Sequence, residues 1–410
     1  MQTFIARQPI LDRQKKAFAY EILCRPHVEG ASELSDIDQE FAQVVTDIGT
    51  FLELKHLRQG RKAFVKTPPD LLLSGHLSRL SKELAIIKIV DLIEPTREIV
   101  AACEMFKRSG YSIAVQVLSD HKELEPLIEL ADFVNVDLLS TRTDTQVQLP
   151  QRYAKGKHFI SERVENEAAF RHAQEMGYEY YQGSFLNRPV NLGLKSIPSL
   201  KLHYLQLIQE VNKPDFDFNK LEGIIKQDLS LSFNLLRYIN SALFGTAREI
   251  QSIRQALALL GEMAVRKWVS LVALTQMSQD KSEELLIQAA VRGKFCESIA
   301  PAVRLGHRRE ELFLMGMFSL LDAILDRSIN ETLSEIPLAA DIKDALTGVT
   351  NELHEVYQYA MAYEDGDWHR VWTYGARLVT DEALLPKLYI DSVSWVEENL
   401  RCVSPGTKTR

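Results

Sequence analysis

The chain has 410 residues, 46% apolar and 25% charged, which is the balance of a globular protein and enough length for two domains. Lys plus Arg number 48 against 56 for Asp plus Glu, a formal net charge of -8. That sign argues against an extended nucleic-acid surface, which needs a basic field.

In chain order, the first half alternates short β-branched runs with longer helical patterns. Residues 4–10, 18–23, 63–66, 86–90, 113–117, 133–136, 158–161 and 180–182 read as strands. Runs buried on both faces suit a parallel sheet. Pro95 is placed to open a helix in its first turn, and Gly110 to close it. Asn166 is placed to cap a second helix that stops at Gly177. Repeated strand–helix units fit a (βα)-barrel, with a doubly wound open sheet as the alternative. These units fill residues 1–192, and residues 193–200 read as a linker.

From residue 201 to 400 the pattern is all-helical, with helices expected over 201–211, 229–244 and 253–274. Leu231, Leu235, Ile239 and Leu243 form an apolar stripe, and Ser230 is a candidate cap. Residues 401–410 read as a frayed tail. Cys24, Cys103, Cys296 and Cys402 form no CxxC pair, so reduced thiols are expected. There is no apolar leader and no run long enough to span a membrane, and a cytoplasmic protein is expected.

In a (βα)-barrel the chemistry sits at the C-terminal strand ends. Here those ends carry Glu21, Lys66, Asp91, Gln116 with Val117, Asn135 with Asp137, Glu162 and Gln182. A pair of divalent ions needs several oxygen ligands, whereas Lys66 brings a repelling ammonium and Val117 no ligand. Read without a family, the four carboxylates are solvated rim groups or partners of Lys66 and Arg25.

The string Glu21-Ile22-Leu23-Cys24-Arg25 resembles the signature of the EAL family, barrel phosphodiesterases that cleave cyclic di-GMP. GYSIAVQVL, FVNVD, ISERVENEAAF and YYQGSFLNRPV follow the family's later motifs in the correct order. The resemblance covers about the first 200 residues and implies a (βα)8 barrel. It implies that Glu21, Asp137, Glu162 and Gln182 are retained metal-site positions. Lys66 stands where the family has an Asn ligand, and Asp91 at the Glu of its Thr-Glu element. Gln116 and Val117 replace its paired aspartates, and Asn135 its catalytic Lys. Losing two negative charges and gaining a positive one implies no bound metal, no cofactor and no catalysis. Arg25 and Pro189 match positions lining the family's ligand groove. They leave cyclic di-GMP binding open, although pairing of Arg25 with a rim carboxylate is the favoured expectation.

The helical half resembles the HDOD family, non-catalytic relatives of metal-dependent HD phosphohydrolases. The matching residues are Gln227, Asp228, Asn240, Ser241, Ser252-Ile253, Gln255-Ala256 and Leu260-Gly261. Ser319 and Leu320 stand where a hydrolytic HD domain has its His-Asp dipeptide, and His307, His354 and His369 are scattered. Asp228, Asn240 and Ser241 could form a recognition pocket, but at helix ends such residues more often cap backbone groups. The run from Tyr363 to Trp368 reads as a loop before a last helix or a partner-contacting turn. The expectation is a non-catalytic signalling adaptor, able to homodimerise, that meets other signalling proteins through its helical domain. A cyclic di-GMP receptor and a residual cyclic di-GMP phosphodiesterase are the alternatives.

Overall fold

The computed structural model describes residues 3–26, 34–53, 59–90, 94–118, 122–153, 156–190, 198–213, 216–241, 244, 250–336 and 338–403. Eight strands close into a barrel in sequence order: β1 (Thr3–Asp12), β2 (Ala17–Pro26), β3 (Lys62–Thr67), β4 (Ala85–Ile89), β5 (Ser112–Val117), β6 (Phe133–Asp137), β7 (His158–Glu162) and β8 (Tyr180–Tyr181). Seven run parallel, while β1 is antiparallel to both β2 and β8. A four-residue connection, Arg13 to Lys16, joins β1 to β2 as a hairpin, which forces that exception. Closure removes the sheet edges and decides for the barrel over the open sheet.

Side chains alternate along each strand, so one set points into the barrel and the next faces the outer helices. Ile10, Ala19, Phe64, Ile86, Ala114, Phe133 and Ile160 form one inward apolar layer, with Phe18 and Tyr180 packed against it. This layer is a solid plug beneath the C-terminal strand ends.

The crossover helices are α1 (Leu34–Glu53), α2 (Pro69–Leu73), α3 (Arg97–Arg108), α4 (Glu125–Leu130), α5 (Thr143–Arg152) and α6 (Glu167–Glu175). Asn166 caps α6 as expected, accepting from Ala169 N at 2.9 Å. Pro95 lies outside α3, whose cap is Thr96, accepting from Ile99 N. The threonine hydroxyl meets a need of the first turn that proline cannot.

The chain divides into two compact units. The barrel unit comprises residues 1–188 together with 362–372 and 381–387, so two segments expected in the helical domain group with the barrel. Tyr363 ties the first of these to β1, its hydroxyl donating to Ile5 O at 3.1 Å and accepting from Ile5 N at 3.3 Å. Phe4, Tyr363 and Trp368 pack as an aromatic trio. The run from Tyr363 to Trp368 therefore ends one helix, Glu352–Glu364, turns over residues 365–367 and begins the next, Trp368–Leu378.

The other unit holds α7 (Ser199–Val211), α8 (Phe218–Gln227), α9 (Leu229–Ile239), α10 (Ile253–Met277), α11 (Glu283–Ile299) and α12 (Arg309–Phe318), followed by further helices. Helix α9 ends at Ile239 rather than running to 244, and Leu243 lies outside the described residues. Its cap is Asp228, not Ser230: the Asp228 carboxylate accepts from Ser230 N and Leu231 N at 2.9 and 3.1 Å. Helices α11 and α12 touch backbone to backbone, since a Cβ on Gly316 would lie 2.7 Å from Arg292 O. The last helix, Leu385–Val403, extends into the stretch expected as a tail, and residues 404–410 lie outside the described residues.

Candidate functional site

The layer above the apolar plug is polar. Two residues on from Ala19, Ile86, Ala114, Phe133, Ile160 and Tyr180 lie Glu21, Lys88, Gln116, Asn135, Glu162 and Gln182. On antiparallel β1 the register places Gln8 opposite Glu21. These residues make one hydrogen-bonded ring. Lys88 Nζ donates to Glu21 Oε1 at 2.8 Å and to Glu162 Oε1 at 2.5 Å. Asn135 Nδ2 reaches Glu162 Oε1 at 2.8 Å, and Gln116 Nε2 reaches Glu162 Oε2 at 2.5 Å. Gln182 Nε2 donates to Glu21 Oε2 at 2.6 Å and to Gln8 Oε1 at 3.2 Å.

The ring is almost dry. Lys88 is 1% exposed, Glu21 4% and Glu162 6%. Burial works to lower the pKa of the Lys88 ammonium, but the Glu162 and Glu21 carboxylates outweigh it and hold it above the ordinary lysine range. Burial likewise works to raise the Glu162 carboxyl. Lys88 and the Gln116 and Asn135 amides outweigh that effect and hold it below the usual carboxylate range. Two acceptors remain without a partner among the described residues, Asn135 Oδ1 and Gln182 Oε1.

Of the residues singled out from sequence, Glu21, Gln116, Asn135, Glu162 and Gln182 meet in this ring. Asp137 sits one layer higher. Its Oδ2 pairs with Arg163 Nε at 2.5 Å, and its Oδ1 accepts from Leu139 N and Ser140 N at 2.9 and 3.1 Å. Val117 is buried, on the alternate face of its strand. Lys66 is exposed, in register with Lys88 across β3 and β4, and forms no ion pair among the described residues. Asp91 lies outside the described residues. The β4 member of the ring is Lys88, which the sequence reading passed over. Its signal was present: Ile86 points inward, so Lys88, two residues on, must do the same. Among the described residues Arg25 forms no ion pair with a rim carboxylate. Its guanidinium stacks over Trp372, 4.1 Å from the ring centroid. Pro189 falls in the other unit.

A two-metal centre, which the EAL resemblance implies, does not fit these residues. Every oxygen of Glu21 and Glu162 already accepts from an N–H donor, and an ammonium stands between them. Among the described residues no group of three or more His, Cys, Asp or Glu is placed to hold a metal.

In the helical unit, Asn240 acts on backbone. Its Oδ1 accepts from Ile250 N and its Nδ2 donates to Ile250 O, both at 2.7 Å. Ser241 Oγ donates to Tyr238 O at 2.7 Å. Gln227 is exposed at the end of α8. Gly261 takes a left-handed φ of 72° at a break inside α10. Ser319 Oγ, where a metal-binding His would stand, accepts from Arg292 at 3.0 Å, Leu320 beside it is buried, and His354 Nδ1 bonds Ala345 O at 2.8 Å.

The HDOD domain family matches residues 197–363. The helical half is an HDOD domain. It follows the closed eight-stranded barrel in the chain. Two relatives align over nearly the whole chain. One is Uncharacterized protein YuxH of Bacillus subtilis, 27% identical over 96% of this chain and 98% of its own length. The other is Cyclic di-GMP phosphodiesterase CdgJ of Vibrio cholerae, 29% identical over 98% of this chain and 94% of its own length. Among solved structures, the calcium/cy-diGMP complex of Klebsiella pneumoniae BlrP1 aligns with 45% of this chain and 54% of that one, at 15% identity and a TM-score of 0.37. The expectation that this chain is no enzyme is overturned by CdgJ, a full-length relative named for phosphodiesterase activity. No helix among the described residues is long and apolar enough to cross a membrane.

Proposed function

We propose that this EAL–HDOD protein handles cyclic di-GMP, with the barrel mouth as the nucleotide site. The observation that carries this reading is the buried ring itself. Glu21, Lys88, Gln116, Asn135, Glu162 and Gln182 converge at the C-terminal strand ends, the face where barrel proteins bind ligands. A cyclic dinucleotide brings two phosphodiester anions and purine edges rich in N–H groups. Exposed Lys66, in register with Lys88 at the mouth, offers a cation to the first. The name of CdgJ supports the same ligand.

The test is calorimetric titration of the full chain with cyclic di-GMP, with and without Mg²⁺ or Mn²⁺, followed by chromatography of the nucleotide. Saturable binding that Lys66→Glu weakens supports the reading. Product accumulating linearly with time would assign hydrolysis to the same site. No heat and no product under either condition would overturn it.

A second role belongs to the HDOD domain. Phe233 on α9 and Leu259 and Met263 on α10 are 60%, 56% and 48% exposed. Large apolar groups left in water favour contact with a protein partner. Phe233→Ser with Leu259→Ser should leave the fold intact and abolish any partner capture that the wild type shows.

A further inference from the structure

We infer that Lys88 is the resident cation of the barrel mouth, filling the charge-balancing place of a divalent ion, so that the site takes its ligand without added metal. Three observations converge on this. The ammonium lies within 2.8 Å of Glu21 and 2.5 Å of Glu162, two carboxylates from strands on different sides of the barrel. All three side chains are more than nine-tenths buried, so the carboxylates must be neutralised where they stand. The oxygens that Lys88 leaves open are filled from the chain as well: Gln182 takes Glu21 Oε2, Gln116 takes Glu162 Oε2, and Asn135 shares Glu162 Oε1.

A metal ion bound here would have to displace N–H donors from both carboxylates and push an ammonium off the two counter-charges it holds. Mg²⁺ also demands ligand oxygens near 2.0–2.1 Å in octahedral array. The ring instead offers oxygens spaced for N–H donors, with Lys88 bridging the two carboxylates. The apolar plug of Phe64, Ile86, Phe133 and Ile160 below leaves Lys88 no retreat into the barrel. The inference concerns the cation alone and stands whether or not the ligand is cyclic di-GMP.

The experiment uses the full chain and Mn²⁺, read in two ways: depletion of the free-Mn²⁺ electron paramagnetic resonance signal, and melting temperature in Mn²⁺ against EDTA. The wild type should deplete no Mn²⁺ and melt at one temperature in both. Lys88→Ala should melt lower, recover part of the loss in Mn²⁺, and bind one Mn²⁺ at least about tenfold more tightly than the wild type, as removal of a nearby like charge requires. Adding Glu21→Gln to Lys88→Ala should remove that gain. Should Lys88→Ala fail to fold, Lys88→Gln keeps a donor in place and serves instead. Wild-type protein that binds Mn²⁺, melts higher in it, and loses both effects on Glu162→Gln would overturn the inference. That result would be independent of whether cyclic di-GMP binds.

Discussion

Lys88 Nζ lies 2.5 Å from Glu162 Oε1, a contact between residues 74 apart in sequence and both sealed from water. A buried pair of this kind adds little over apolar packing, yet it is costly to break, because the survivor is left charged without a partner. Lys88→Met should therefore destabilise the barrel unit by about 3–5 kcal/mol in urea unfolding. The triple variant Lys88→Met, Glu21→Gln, Glu162→Gln should regain much of that loss, since it removes the stranded charges too. Equal instability of the single and triple variants would show that shape, not charge, sets the cost.

The pH dependence follows in sign from the same ring. The Glu162 carboxyl is held below the ordinary glutamate value of 4.5 in the folded chain, where Lys88 and the Gln116 and Asn135 amides outweigh its burial. It therefore binds its proton more weakly folded than unfolded, and its contribution to stability is present above about 4.5 and lost as pH falls through the lower folded value. Lys88 is raised above 10.5, so its contribution is whole below 10.5 and lost only as pH climbs past the folded value. Stability from this pair should be flat across the neutral range. Urea midpoints measured from pH 7 down to pH 3 should fall on the acid side, and Glu162→Gln should flatten that fall. An unchanged acid limb in Glu162→Gln would assign the loss to other carboxylates.

Asp228 and Asn240 are matching positions of the HDOD resemblance; Asp228 Oδ1 and both polar atoms of the Asn240 amide bind backbone, while Asp228 Oδ2 lies 3.8 Å from His203 Nε2. Asp228→Ala should cost about 0.5–2 kcal/mol as a lost N-cap, and Asp228→Ser should restore most of it. Asn240→Ala strands both backbone groups of Ile250 and should cost roughly 1–3 kcal/mol. Thermal unfolding checks both. Full stability in Asp228→Ala together with loss of partner capture would instead make that residue a recognition group.

These cases show what the sequence made readable. The eight β-branched runs all fall on barrel strands, because a strand buried on both faces leaves a dense apolar signature. That same density hid Lys88: within IIKIV a single lysine reads as an interruption until the phase of the strand is fixed by Ile86. Phase also separates Gln116, which faces the ring, from Val117 beside it. Arg25 could not be paired correctly because its partner, Trp372, is brought to the barrel by tertiary packing alone. The α9 cap was ambiguous since Asp228 and Ser230 both precede apolar residues, and only the backbone geometry chooses between them. The EAL resemblance located the strand ends well, but carrying over a loss of catalysis from substituted positions went further than charge arguments allow once CdgJ is considered.

Gly183 is where the ring depends most directly on backbone. Its φ is 152°, and a Cβ there would lie 2.2 Å from Val164 O and 2.5 Å from Val164 N, against main chain that no rotamer change can move. The residue before it, Gln182, is pinned by its backbone, its N–H donating to Ser161 O at 2.8 Å and its carbonyl accepting from Val164 N at 3.0 Å. Any shift that makes room for a Cβ must therefore move Gln182 and loosen its 2.6 Å hold on Glu21. Gly183→Ala should cost at least about 1–3 kcal/mol from overpacking, beyond the strain of the backbone conformation. Gly156→Ala is the control, since Gly156 also has a positive φ, of 95°, but nothing within 4 Å of the added carbon. Its cost should be the roughly 1–2 kcal/mol of left-handed strain alone. Urea unfolding compares the two, and cyclic di-GMP titration of Gly183→Ala should show weaker binding than Gly156→Ala. Equal stability losses, with ligand binding intact in both, would mean that Gln182 is not held in the ring by this turn.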